Sequence, residues 1–288
     1  MALLDKLAFL SYCRRLNFSQ ETQDLITTIR TSPPNRNPRA SKGNVPVSYP
    51  STKMQCIIKA ESYKVEFAFL LEAEHSTDVL EFYDQPHPPL KLTYKTNARK
   101  QTSFHTADYF VMRYKSAGWE ECKPVNELIR LSQRSDRYQL DERGVWRCLS
   151  GEAYAKEFGL TYSVRASDQI NWAAQDNWLY LDQYYQDLEK LTVPEDALTK
   201  LYQLVDECRG ISLADLREVS ELPSDFINIA IANHALYVDL LSHRLTEPSR
   251  TPVFLDQKAA LAFTRRDSSD PDLGADAHPV VIESGSDI

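Results

Sequence analysis

The chain has 288 residues, 42% hydrophobic and 26% charged, an ordinary composition for about two folded domains. No apolar run approaches the ~20 residues needed to span a bilayer, and the opening Met-Ala-Leu-Leu-Asp-Lys lacks a secretion-signal layout, so a cytoplasmic location is expected. The net charge of −8 argues against a simple polyanion binder, and five scattered cysteines without Cys-x-x-Cys spacing disfavour a zinc site or a disulfide scaffold.

Charge is unevenly placed. Residues 1–60 hold nine Lys or Arg against three acids, whereas residues 267–288 hold six acids and no Lys or Arg. A basic arm and an acidic tail suit different partners, phosphate and protein, although solvated termini would look the same. Residues 3–29 read as one or two short helices, with Leu3, Leu4, Leu7 and Leu10 at helical spacing and Phe18-Ser-Gln-Glu as a second start. Residues 31–52 contain five prolines together with Arg36, Arg39 and Lys42, which predicts an extended basic connector without regular structure. It either follows a DNA backbone or links the helices to the next domain.

From residue 54 the pattern becomes α/β. A strand is predicted over 54–58, a helix over 60–74, and strands over 78–84, 90–94, 102–114 and 119–123. The helix apolar face is Tyr63, Phe67, Leu70 and Leu71. Pro124 opens a helix that runs to about Arg134. Further helices are predicted over 151–158 and 171–191, with a strand over 160–164 between them. The last third changes character: helices over 195–206, from Ser212, and over 224–232, then alternation at 236–241 and 252–255 that suggests two strands. Helix, turn, helix and hairpin is winged-helix order, found both in domains that read DNA and in domains that bind only protein, and the sequence favours neither. The expected division is an N-terminal segment (1–52), a catalytic domain (53–190), a winged-helix-like domain (191–266) and an acidic tail without fixed structure (267–288).

Four polar residues stand out. Glu66 lies on the helix, Asp108 on the 102–114 strand, and Glu121 and Lys123 two apart on the next strand. Strand alternation puts Glu121 and Lys123 on one face and Glu120 and Cys122 on the other. Phosphodiester hydrolysis needs hydroxide, charge neutralisation and in-line geometry, and Mg2+ held by hard carboxylate oxygens supplies all three. Asp108, Glu121 and the Cys122 carbonyl would hold the ion, Glu66 would complete the site or hold a second Mg2+, and Lys123 would orient the attacking water. Taken singly each residue is weak, since a strand-capping Asp, an edge Glu-x-Lys and a solvated helical Glu are all common. Lys53 and the row Arg130, Arg134 and Arg137 join Arg36, Arg39 and Lys42 as candidate phosphate contacts. Trp119, Trp146, Trp172 and Trp178 are expected to pack rather than stack on bases.

The words around these residues resemble the TnsA family, the endonuclease subunit of heteromeric transposases, which has a restriction-endonuclease-like core. They are Glu61-Ser62 with Glu66, Asp78-Val79-Leu80, Gln85-Pro86, Ala107-Asp108-Tyr109-Phe110 and Glu121-Cys122-Lys123-Pro124, preceded by Asn44 to Lys53. The family's usual Pro before the strand Asp is Ala107 here, which removes no ligand. The resemblance covers residues 30–185 well and the remainder thinly. It implies that Glu66, Asp108, Glu121 and Lys123 are catalytic. It further implies cleavage of the 5′ strands at transposon ends beside an RNase H-like TnsB-type transposase, and docking of the C-terminal region on an AAA+ TnsC-type regulator. A CRISPR-guided targeting complex is also compatible. The tail, with Val280, Val281 and Ile282, is a candidate regulator-docking peptide. The alternatives are a stand-alone restriction or repair nuclease of the same fold and a non-catalytic adaptor.

Overall fold

The structure is a computed structural model that describes residues 3–36, 45–97 and 99–267. It is a mixed α/β protein in two compact units, Met1–Trp178 and Leu179–Ile288. Arg39, Lys42 and the acidic tail from residue 268 lie outside the described residues.

Helix α1 (Lys6–Arg15) starts where the Asp5 side chain accepts the Ala8 N–H, and α2 (Gln20–Thr31) where Ser19 accepts the Thr22 N–H. The buried face of α1 is Phe9, Tyr12 and Cys13; of the predicted leucine stripe only Leu4 packs against the core, and Leu3, Leu7 and Leu10 face out, Leu7 being 78% exposed. Leucine spacing alone marked the wrong face because aromatic Phe9 and Tyr12 bury more area than the leucines. Strands β1 (Val47–Ser51) and β2 (Cys56–Ala60) form an antiparallel hairpin, so the proline-rich connector ends in a strand rather than remaining irregular. Helix α3 (Val65–His75) follows. It begins five residues later than expected, which leaves Tyr63 outside it and exposed.

Strands β3 (Val79–Asp84), β4 (Leu90–Thr96), β5 (Arg99–His105), β6 (Tyr109–Arg113) and β7 (Ala117–Lys123) come next. The single strand expected over 102–114 is broken at Thr106–Asp108, and the break detaches a β4–β5 hairpin from the main sheet. Helix α4 (Val125–Ser132) has Pro124 as its N-cap and ends two residues short of Arg134. The short β8 (Gln139–Leu140) and β9 (Trp146–Arg147) pair, then α5 (Leu149–Glu157), β10 (Thr161–Ala166) and α6 (Trp172–Gln186) follow.

The main sheet has the order β10-β7-β6-β3, with β10 parallel to β7 and the other pairs antiparallel. Its strands alternate between two cores, as a sheet covered on both faces requires. Phe110, Met112 and Trp119 pack with α1, α2 and α5, while Tyr109, Val111 and Cys122 pack with α3 and the β1–β2 hairpin. Trp119 and Trp146 are core residues, but Trp172 is half exposed. Helix α3 buries most of its circumference, including Glu66 and Glu74, so the solvated acidic face that its composition suggests does not exist.

The second unit contains α7 (Glu195–Glu207), α8 (Leu213–Ser220), α9 (Ser224–Ala232) and α10 (Gln257–Asp267) around a core of leucine, isoleucine and valine. Ser212 caps α8 as expected, its hydroxyl accepting the Asp215 N–H. The expected hairpin shrinks to one isolated bridge, Tyr237 with Phe254, while Pro252 bridges instead to Ser212 at the start of α8. Pro248 and Pro252 interrupt the ladder that two strands would need, leaving a helix–turn–helix without a wing. Among the described residues no helix is long and apolar enough to cross a membrane.

Candidate active site

The site lies in the first unit, where the end of β7 meets the start of α3. Tyr109 pairs with Glu120, so Asp108 stands just beyond the β6–β7 ladder and its Oδ2 accepts the Cys122 N–H at 2.7 Å. Glu66, in the first turn of α3, accepts the Glu61 N–H through Oε2 at 2.7 Å. That bond ties the loop before α3 to its first turn, where no side chain caps the helix.

Glu121 is fully buried and surrounded by donors. Its Oε1 receives the Lys123 ammonium at 2.7 Å and the Tyr138 hydroxyl at 3.1 Å. Its Oε2 lies 2.7 Å from His105 Nε2 and accepts the Tyr162 hydroxyl at 3.2 Å. A cleft of about 590 Å3 opens beside these groups, lined among others by Glu66, Asp108, Glu121, Cys122 and Lys123. The structure therefore brings together the four predicted residues, on α3, before β6 and on β7.

Their electrostatics are mutually dependent. Burial pushes Glu66 up to about 7; the Glu61 N–H opposes this, and the charges of Glu61 and Glu121 add to it. Burial and then the Glu121 charge raise Asp108 well above the usual carboxylate range. Burial would raise Glu121 as well, but the Lys123 and His105 charges and their hydrogen bonds outweigh it and hold it low. Lys123 is held above the ordinary lysine value because Glu121 and Asp108 outweigh its burial. Lys123 thus balances one carboxylate, and the other two remain costly to ionise.

A hard divalent cation fits that imbalance and the oxygen chemistry of the donors. Glu66 Oε1 and Asp108 Oδ1 have no protein donor among the described residues, whereas Glu121 spends both oxygens on protein partners. Among the described residues, no group of three His, Cys, Asp or Glu side chains is already gathered for a metal. Cys122 turns its thiol into the opposite core, which leaves its backbone as its contribution to the cleft.

The predicted phosphate contacts divide. Arg36 and Arg134 line the cleft; Arg36 pairs with Glu61 at 3.3 Å and donates to Gln85. Arg137 also lines it, with its guanidinium over the Tyr94 and Tyr138 rings and buried Nε and Nη2 that lack hydrogen-bond partners. Arg130 is exposed on α4 away from the cleft, so the three arginines form no single row. Lys53 is a correction: its ammonium donates to the carbonyls of Ala73, Ser76 and Val79 at 2.6–3.0 Å and is not a phosphate contact. It satisfies orphan carbonyls where α3 ends and ties them to the start of β3.

Four residues escaped the sequence reading. His105, Tyr138 and Tyr162 hold Glu121, and buried Gln85 donates its N–H to the Asp108 carbonyl. Gln85 was visible only as half of a Gln-Pro pair. The other three lie 16 to 41 residues from Glu121 and show no local pattern. Comparison with protein-family models and with curated proteins gives no match.

Proposed function

We propose that the first unit is a Mg2+-dependent DNA endonuclease with a restriction-endonuclease-like core. The observation that carries this reading is the convergence of Glu66, Asp108, Glu121 and Lys123 on one cleft, with charge left over for a divalent cation to offset. Bound by Asp108 and Glu66, with Glu121 and the Cys122 carbonyl completing the set, the ion would supply Lewis-acid activation of water and of the scissile phosphate. Lys123, fixed by its bond to Glu121, keeps further N–H groups to orient water and to offset charge that develops on the phosphoryl oxygens. Arg36, Arg134 and Arg137 bind the flanking phosphates. Hydrolysis forms a bond from water oxygen to phosphorus, breaks one P–O ester bond, and passes the water proton to solvent or the leaving oxygen.

The wider assignment rests on the resemblance of residues 30–185 to the TnsA family. On that reading the chain cleaves 5′ strands at transposon ends beside an RNase H-like transposase, and its helical second unit docks an AAA+ regulator. A CRISPR-guided complex is compatible with this reading as the source of targeting. Deleting residues 267–288 tests the tail's part in docking: affinity for the regulator should fall, and unchanged affinity removes the tail from the interface. Mg2+ titration followed by calorimetry tests the ion site. Saturable binding lost in Asp108→Ala supports the nuclease, whereas absence of binding favours the non-catalytic adaptor.

A further inference from the structure

Residues 90–105 carry Lys91, Lys95, Arg99 and Lys100 and not one acid, in a chain whose net charge is −8. They form the β4–β5 hairpin, which pairs with no strand of the main sheet among the described residues. Alternation gives the hairpin two different faces. Leu90 and Leu92 are buried in the first core, and Tyr94, Thr96, Gln101 and His105 line the catalytic cleft. On the opposite face, the paired positions Lys91 with Phe104, Thr93 with Thr102, and Lys95 with Lys100 are all exposed. Phe104 is 76% exposed. None of the four cations forms an ion pair among the described residues, although Arg30, Arg36, Arg113, Arg147 and Arg165 all do.

The hairpin is also anchored. The Lys95 N–H donates to Asp136 Oδ1 at 2.6 Å, the Asp136 N–H donates to the Lys95 carbonyl, and Thr96 bridges to Ser135. These bonds fasten it to the segment that carries Arg134 and Arg137, so the outer-face cations are held beside the cleft. Same-face Lys91 and Lys95 stand about 13 Å apart at ~3.3 Å per residue, a reach comparable with the ~12 Å major groove of B-form DNA.

We infer that the β4–β5 hairpin is a duplex-DNA clamp, whose outer lysines and Arg99 grip phosphates of the duplex that presents its backbone to the cleft. Two-stranded ribbons fit the B-form major groove, whereas the deep, narrow groove of A-form RNA does not admit them. The inference takes its ligand from the nuclease reading but does not need cleavage. The test is therefore binding of a fluorescent 30-base-pair duplex to the full chain in EDTA, read by anisotropy across a salt series. The hairpin variant is Lys91→Gln, Lys95→Gln, Arg99→Gln and Lys100→Gln together. The control is Lys200→Gln, Arg209→Gln, Arg250→Gln and Lys258→Gln, four exposed positions of the second unit. We expect the hairpin variant to melt like the parent, to bind about 10- to 100-fold more weakly, and to lose about 2–4 from the salt slope. The control should stay within about twofold. Equal losses in both variants, unchanged binding in the hairpin variant, absence of DNA binding by the parent, or equal affinity for an RNA duplex would each overturn the clamp. Duplex binding by the parent without any Mg2+-dependent cleavage in a parallel assay would overturn the nuclease and leave the clamp standing.

Discussion

Glu121 shows how a buried carboxylate is kept charged: four donors, from β5, β7, β10 and the loop before β8, share its two oxygens. Removing one leaves the charge partly unmet. Tyr138→Phe should cost about 1.5–3 kcal/mol in urea denaturation, the range for a hydrogen bond to a charged group, and an unchanged midpoint would show that the bond contributes nothing. Asp84 is the opposite case. Burial pushes it up to about 6, opposed by backbone N–H groups including that of Lys59. Its folded pKa exceeds its unfolded value, so stability is lost as pH rises from about 4 through 6, and the penalty is complete above that window. Asp84→Asn should therefore stabilise the protein by about 1–3 kcal/mol at pH 7.5 and by almost nothing at pH 4. A constant difference across that range would rule out the charge as its source.

Two sites carry the assembly of elements. At Gly118 an added Cβ would lie 2.0 Å from the Thr161 carbonyl oxygen, because β7 and β10 approach closely there. Gly118→Ala must push these strands apart and should cost about 3 kcal/mol or more in thermal melting, on the scale of severe overpacking. Lys53→Met abandons the carbonyls of Ala73 and Ser76 at the end of α3 and of Val79 at the start of β3, and should destabilise the fold by about 2–4 kcal/mol, while leaving DNA affinity per folded molecule unchanged. Loss of affinity without loss of stability would return Lys53 to the phosphate contacts. Most elements were legible from periodicity and punctuation: Ser19 and Ser212 cap helices, and β3, β7, α7 and α9 fall within about two residues of expectation. The break at Thr106–Asp108 was not legible, because residues 102–114 alternate without a Gly or Pro to mark it. The missing wing failed differently, since alternation at 236–241 says nothing about whether a partner strand can form. The four catalytic candidates were readable because their order is linear along the chain. The cradle of His105, Tyr138 and Tyr162 exists only after folding.

At the scale of the whole molecule, charge is sorted by task. Acids and cations line the cleft together, cations unpaired among the described residues stand on the adjoining hairpin, and the net charge of −8 resides largely elsewhere. The four candidates belong wholly to the first unit, while the helix–turn–helix belongs to the second, a separation that suits a nuclease domain joined to a partner-binding domain. Strand-specific cleavage of a donor DNA bearing transposon ends tests this account most directly. It would be run with Mg2+, the partner transposase and the regulator, using either the intact chain or Asp108→Ala. The account predicts 5′-strand products with the intact chain alone, and identical products from both proteins would contradict it.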